Sequence, residues 1–283
     1  IKTRHYAMND ENTSDLATQV AQQLLQKSGL AASAIDLILV TTITPDALTP
    51  ATACLVQANI GADNAFAFDL SAACAGFTFG LATADKFIRS GQYQNVMVIS
   101  AEVNSKMMDF QDRTAAVFFG DGAGGALLQA TDNPDENSLI AEKLESQGNA
   151  TVIHSGRVRP ITEVAATNYP KTDAFYQVGR DVFQFATTVV PEQMRGLIAS
   201  AQLTPSDLQY VICHQANLRI IEKIAANLAL PMTKFPHNVD HYGNTSSAGV
   251  AMALANVFDT LTGPVLLTAF GGGLAYGSVL IKK

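Results

Sequence analysis

Leu208-Gln209-Tyr210-Val211-Ile212-Cys213-His214 is an apolar, strand-like run that ends on a histidine. It repeats a pattern already met at Ile35-Asp36-Leu37-Ile38-Leu39-Val40-Thr41-Thr42. A helical run precedes each stretch, 14–27 leading through Gly29 in one case and 181–201 leading through Leu203-Thr204-Pro205 in the other. A short loop and a second helix follow each, at 50–60 and at 218–228. The order then repeats again. Residues 65–70 lead to Cys74 and an amphipathic helix reaching about Arg89, and 234–239 lead to Gly243-Asn244-Thr245 and a helix of small apolar residues reaching about Leu261. Each half closes with two strands, 95–101 and 122–128 against 264–269 and 276–281. Unbroken apolar strands alternating with helices predict mostly buried sheets covered on both faces. Two such halves, 1–132 and 133–283, predict a layered α/β sandwich with internal pseudo-symmetry. The segment 131–176, rich in Asn, Asp, Thr and Gly, reads as the junction and the least regular part.

The 283 residues are 48% hydrophobic and 15% charged, enough for a large core. Polar residues interrupt every helical stretch well short of the ~18 apolar residues of a membrane span. No basic segment precedes an apolar one near the start, so secretion is not indicated. The chain begins at Ile1 rather than Met, and an upstream piece is expected. Cys54, Cys74 and Cys213 form no C-x-x-C pair, which fits a reducing, cytoplasmic compartment and argues against a thiol zinc site. The histidines form no H-E-x-x-H pattern, so no metal site is expected. A net charge of −7 speaks against nucleic acid as the main partner, and an acidic partner would need a local basic patch.

The chemistry centres on Asp69-Leu70-Ser71-Ala72-Ala73-Cys74-Ala75-Gly76-Phe77, where a strand meets a helix. A thiol on the first helical turn meets free N–H groups and the positive end of the dipole, which favour thiolate. Its small neighbours leave room for a substrate. The alternative is tight packing around a buried cysteine. His214, at a strand end before a polar loop, suits an active site in an α/β sheet, or is a buried histidine satisfied by backbone. Asn244 is a reactive-site donor or a helix cap. Equivalent helix starts at Cys74 and Asn244 would face each other near the pseudo-dyad. Gly271-Gly272-Gly273 lets backbone N–H groups approach a ligand, or is a flexible turn. Gly120-Asp121-Gly122-Ala123-Gly124-Gly125 leads into a strand rather than a helix, which excludes a phosphate cradle.

Five motifs, in register over nearly the whole chain, resemble the β-ketoacyl-[acyl carrier protein] synthase III family. They are Ala72-Ala73-Cys74-Ala75-Gly76-Phe77, Phe119-Gly120-Asp121-Gly122-Ala123-Gly124, His214-Gln215-Ala216-Asn217-Leu218-Arg219-Ile220, Gly243-Asn244-Thr245-Ser246-Ser247 and Phe270-Gly271-Gly272-Gly273. The resemblance implies a thiolase-like αβαβα sandwich, a cytoplasmic homodimer, and the initiating condensation of type II fatty-acid synthesis. Cys74 would take an acyl group from acyl-coenzyme A, and the N–H groups of Cys74 and Gly272 would form the oxyanion hole. His214 and Asn244 would donate to the thioester oxygen of malonyl-[acyl carrier protein] as it loses carbon dioxide.

The same resemblance gives Phe270, Thr49 and Phe119 to the acyl pocket. It places Arg113, Gly179, Phe183 and Asn217 along the coenzyme A and pantetheine channel, and Arg219 with Lys223 at the acyl carrier protein. For Lys223 the alternative is an ordinary solvated charge. No cofactor is implied, because coenzyme A thioester and phosphopantetheinyl carrier are substrates. Three departures stand out: the family's Trp-containing opening segment is absent, Thr49 replaces a bulky Phe, and Ala226 and Asn227 stand where carrier-binding lysines are usual. A Cys-His-Asn set also serves papain-like proteases, where His activates Cys for hydrolysis, and the repeat favours the synthase. The alternatives retained are a thiolase-fold acyltransferase of secondary metabolism and a non-catalytic carrier-binding homologue.

Overall fold

The computed structural model describes residues 1–156 and 174–283, so part of the 131–176 junction lies outside the described residues. Helix α1 (Thr13–Ser28) opens where the Asp15 carboxylate accepts the Asn12 N–H at 2.8 Å. It closes on Gly29, whose φ of 73° turns the chain toward the first sheet. Strand β1 (Leu37–Thr41) is fully buried, followed by α2 (Thr52–Ile60), β2 (Phe66–Leu70), α3 (Gly76–Arg89), β3 (Asn95–Glu102) and β4 (Gly122–Gln129). The first sheet runs β2-β1-β3-β4, with β1 parallel to β2 and β3 and with β4 antiparallel to β3.

The chain continues through β5 (Leu139–Asn149) and the two-residue strands β6 (Ile153–His154) and β7 (Tyr176–Gln177), which pair with each other. Then come α4 (Gly179–Ser200), β8 (Tyr210–Cys213), α5 (Leu218–Leu228), the single turn α6 (Val239–Tyr242), α7 (Ala248–Val257), β9 (Val265–Gly271) and β10 (Gly273–Ile281). The second sheet runs β5-β10-β9-β8, with β8 parallel to β9 and the other pairs antiparallel. Thus β1, β3 and β4 correspond in order and direction to β8, β9 and β10.

Three apolar clusters define the layers. Leu37, Leu39, Phe77, Leu81, Val250, Leu254, Val265 and Leu267 place α3 and α7 between the two sheets. Ala17, Ala21, Val56, Ile38 and Ile99 pack α1 and α2 on the outer face of the first sheet. Val190, Met194, Ile221, Ile224, Val211 and Leu266 pack α4 and α5 on the outer face of the second. The order is the αβαβα sandwich that the resemblance implies, and the layered α/β sandwich that the repeat predicts.

Two expectations of detail fail. Residues 234–239 do not form a strand: a 3₁₀ turn at Met232–Lys234 precedes the buried Phe235, and Pro236 has no N–H to offer a sheet. The Asn238 and Val239 N–H groups instead donate to Gln215 Oε1, at 2.8 and 3.2 Å. The supposed irregular junction also holds β5, an eleven-residue edge strand against β10. Its polar, half-exposed residues carry no apolar run, because only one edge and part of one face are covered. By contrast, β4 has no strand on its outer side among the described residues, and a cavity of about 930 Å³ follows that edge past Leu24, Leu128 and Phe258.

Close packing of α7 on β4 depends on Gly124, where an added methyl would lie 2.9 Å from the Met252 nitrogen. A methyl at Gly148 in β5 would meet nothing within 4 Å. Gly124→Ala is therefore expected to cost about 1–3 kcal/mol by urea denaturation, as overpacking against backbone does. Gly148→Ala should stay within about 0.5 kcal/mol of wild type. Equal midpoints for the two variants would contradict this packing.

Candidate active site

Parallel strands present their C-terminal ends on one rim, where α/β sheets place ligands. Cys74 follows β2, His214 follows β8, and Gly271 ends β9. The turn that carries Cys74 is tight: Ala73 has φ of +49°, a left-handed conformation that non-glycine residues rarely adopt. Cys74 itself sits in a 3₁₀ turn (Ala73–Ala75) just ahead of α3 rather than inside its first turn. A methyl on Gly271 would lie 2.5 Å from the Cys74 nitrogen, so the end of β9 lies directly on the Cys74 backbone. Gly272 is next to it, its virtual methyl 3.7 Å from Ala73 Cβ.

The opposing turn comes from the other half. The Asn244 N–H donates to Phe118 O at 2.7 Å, and its carbonyl accepts the Gly120 N–H at 3.0 Å, in a bridge that includes Phe119. Its Oδ1 accepts the Ser246 N–H at 2.9 Å, which leaves the side-chain NH₂ to donate elsewhere. Ser246 also has a left-handed φ, +53°, and its Oγ contacts Cys74 Sγ at 3.4 Å as donor. His214 is held by its own N–H, which donates to Thr268 O at 2.8 Å, and by the edge-on ring of Phe270 at 5.1 Å. The structure thus brings Cys74, His214, Asn244, Phe270 and Gly272 to one place.

Burial governs the protonation states. It pushes the Cys74 thiol up to about 12, aided by the negative field of Glu102 and opposed by the Ser246 hydrogen bond. This overturns the expectation of a resting thiolate: the desolvation of a charged sulfur outweighs whatever the helix end offers. Burial likewise pushes His214 down to about 3, so the imidazole is neutral, and its Nδ1 has no hydrogen-bond partner among the described residues.

Of the remaining expected positions, Phe119 adjoins the cluster through its bridge to Asn244. Phe119 is buried against Phe175, with ring centroids 4.6 Å apart. Thr49 is exposed beside Leu48, which is 91% exposed. Arg113 is exposed in the segment between β3 and β4. Gly179 and Phe183 are exposed on the first turns of α4. Asn217 caps α5 by accepting the Arg219 N–H at 2.9 Å, and Arg219 and Lys223, one turn apart, are exposed on that helix. Sequence reading missed three groups. Ser246 was quoted only inside a motif, Gln215 ties α6 to the His214 loop, and Glu102 is fully buried at the end of β3. A charged residue ending an apolar strand was the available signal for the last.

The five layers and the cysteine, histidine and asparagine at the junction of two duplicated halves define a thiolase-like condensing enzyme. Residues 68–148 match the model for 3-oxoacyl-[acyl-carrier-protein] synthase III, and 198–283 match the model for that family's C-terminal part. The chain is 46% identical over 292 aligned positions to the β-ketoacyl-[acyl-carrier-protein] synthase III of Streptococcus agalactiae, covering 100% of this chain and 88% of the relative. It is 44% identical to the enzyme of that name from Lactococcus lactis, with the same coverage. A crystal structure of the Thermus thermophilus synthase III superposes with a TM-score of 0.89 at 37% identity, covering 99% of this chain and 87% of that one. The chain belongs to the β-ketoacyl-[acyl-carrier-protein] synthase III family.

With its thiol titrating near 12, Cys74 should react with iodoacetamide about tenfold faster per pH unit from 7 to 10. Mass-spectrometric alkylation rates check this, and a plateau near pH 7 would show a resting thiolate instead.

Proposed function

We propose that this chain catalyses the initiating condensation of type II fatty-acid synthesis, joining an acyl-coenzyme A primer to malonyl-[acyl carrier protein]. One observation carries the reading: the buried thiol of one half touches, through Ser246, the turn that bears Asn244 from the other. In the first step Cys74 gives up its proton and its Sγ attacks the acyl carbonyl. The carbon–sulfur bond to coenzyme A breaks, and the departing thiolate takes up a proton, so that the step releases coenzyme A as the free thiol. The N–H groups of Cys74 and Gly272 hold the oxyanion.

In the second step malonyl-carrier loses carbon dioxide, and the electron pair moves into its thioester as an enolate. The His214 N–H and the Asn244 NH₂ stabilise that oxygen. The carbanion attacks the acyl-Cys74 carbonyl, the carbon–sulfur bond breaks to leave the Cys74 thiolate, which takes a proton from solvent, and 3-oxoacyl-carrier leaves. A neutral imidazole suits the second step, since it donates a hydrogen bond without bringing a charge into a dry site. Neither step calls on a resident cofactor or metal.

Arg113, Gly179, Phe183 and Asn217 would line the approach of the pantetheine arm, and Arg219 with Lys223 would meet the acidic carrier. The enzyme works in the cytoplasm in this reading, consistent with its free cysteines; no helix among the described residues is long and apolar enough to cross a membrane. A homodimer is supported by two exposed features. β2 is an edge strand with Phe66 37% exposed, and Leu48 projects from the loop before α2. A second copy would bring Leu48 and Thr49 to the acyl pocket and let Thr49 set primer size.

Intact-mass measurement should show an acetyl adduct on wild type after acetyl-coenzyme A, and none on Cys74→Ser. Asn244→Ala should keep the adduct and lose about 10²–10³ in condensation rate. Wild type without an adduct, or Cys74→Ser condensing normally, overturns the assignment. Sedimentation should give a dimer that Leu48→Asp weakens; a wild-type monomer at micromolar concentration rejects the shared pocket.

A further inference from the structure

Glu102 takes no part in the chemistry above, yet it is fully buried and meets both halves of the site. Its Oε2 accepts three hydrogen bonds from the loop after β1: Thr42 Oγ1, the Ile43 N–H and Thr44 Oγ1, each at 3.0 Å. Its Oε1 accepts Ser247 Oγ at 2.8 Å, across 145 residues of chain. Ser247 adjoins Ser246, the residue on Cys74 Sγ, and lies within three residues of Asn244.

All four contacts are donated to Glu102, which suits a carboxylate with no proton to place. Burial still pushes its carboxyl upward, because four hydrogen bonds do not match full hydration. A buried acid is a poor source of stability and a good source of fixed geometry.

We propose that Glu102 is a positioning residue that locks the Asn244–Ser247 turn of the second half against the nucleophile of the first. Asn244 and Ser246 keep their places relative to Cys74 because Ser247 is anchored to the same carboxylate as the Thr42–Thr44 loop. The inference deepens the proposed function and rests on it for its kinetic half only.

Glu102→Gln can keep the lock. The Gln oxygen accepts the three donors of the loop, and its NH₂ donates to Ser247 Oγ, whose proton then goes to Thr41 O, already 3.1 Å away. Glu102→Ala removes both anchors, and Ser247→Ala removes only the link between halves.

Two readouts separate positioning from bulk stability. Hydrogen exchange of a peptide spanning residues 238–250 needs no assumption about the reaction. Glu102→Ala and Ser247→Ala should raise its exchange about tenfold or more, with β3 unchanged. Glu102→Gln should match wild type. Acetylation of Cys74 should slow about ten- to a hundredfold in the Ala variants with KM for acetyl-coenzyme A within about twofold, and recover in Glu102→Gln.

If Glu102→Ala does not fold, Ser247→Ala and Glu102→Gln decide the matter. Wild-type exchange and acetylation in Ser247→Ala overturn the proposal, as does a loss in Glu102→Gln equal to that in the Ala variant. Wild type that takes no acetyl group refutes the proposed function instead, and the exchange data still judge Glu102.

Discussion

The contact between Ser246 Oγ and Cys74 Sγ depends on how closely two halves of one chain can approach. Both sheets share the layer formed by α3 and α7, so the ends of β2 and of the 239–247 segment meet only if that layer is thin. Glycine makes it thin. A methyl at Gly76 would lie 2.9 Å from Thr41 Cβ and 3.1 Å from Ser247 Cβ. One at Gly249 would lie 2.9 Å from Gln215 Cβ. Side chains at those positions would wedge the halves apart and dissolve the site before any catalytic group was touched.

Water exclusion follows from that closeness, and it sets the charge state of the site. The burial that keeps Cys74 protonated also keeps His214 neutral, so the two effects form one consistent resting pair. An ion pair of thiolate and imidazolium, the arrangement of papain-like hydrolases, would require two charges where neither is solvated. A dry site has a compensating gain: N–H donors aimed at a developing oxyanion act at low local dielectric and need not reorganise. In the proposed reaction, charge would arise only in passing, at the oxygen the proposed donors face.

Much of this was legible in the chain. The strands β1, β3, β8 and β9 are buried along their whole length or nearly so, and an unbroken apolar run has few other uses. Edges were harder to read. β5 alternates polar residues that a one-sided contact tolerates, while residues 234–239 look extended but two of them, Asn238 and Val239, donate their N–H groups to Gln215. In the site, Cys74, His214 and Asn244 stood out because their motifs have fixed spacing. Glu102 and Ser247 did not, because their meaning lies in a contact across 145 residues that no local pattern encodes. The protonation of Cys74 was misjudged for a related reason. A helix start is visible in sequence, whereas the depth at which it is buried is a property of the assembled layers.

The duplication explains why this pair of distant residues is coupled. Ala73 and Ser246 both occupy the left-handed region, at φ of +49° and +53°, so the same strained turn occurs once in each half. Cys74 follows the first and Ser247 follows the second; Gly76 and Gly249 come two residues later in each case. Cys74 lies on the end of β9 through Gly271, and Ser247 bonds the end of β3 through Glu102. Since β3 and β9 are equivalent strands, each turn docks on the corresponding place in the opposite sheet. Only one of the two docks carries a side chain that fills it. At β9 the end is glycine, which lets the Cys74 backbone lie directly on the strand. At β3 the end is glutamate, which occupies the equivalent space and fastens the turn. One geometry, used twice, therefore yields a bare dock under Cys74 and a filled one that fastens the turn bearing Asn244.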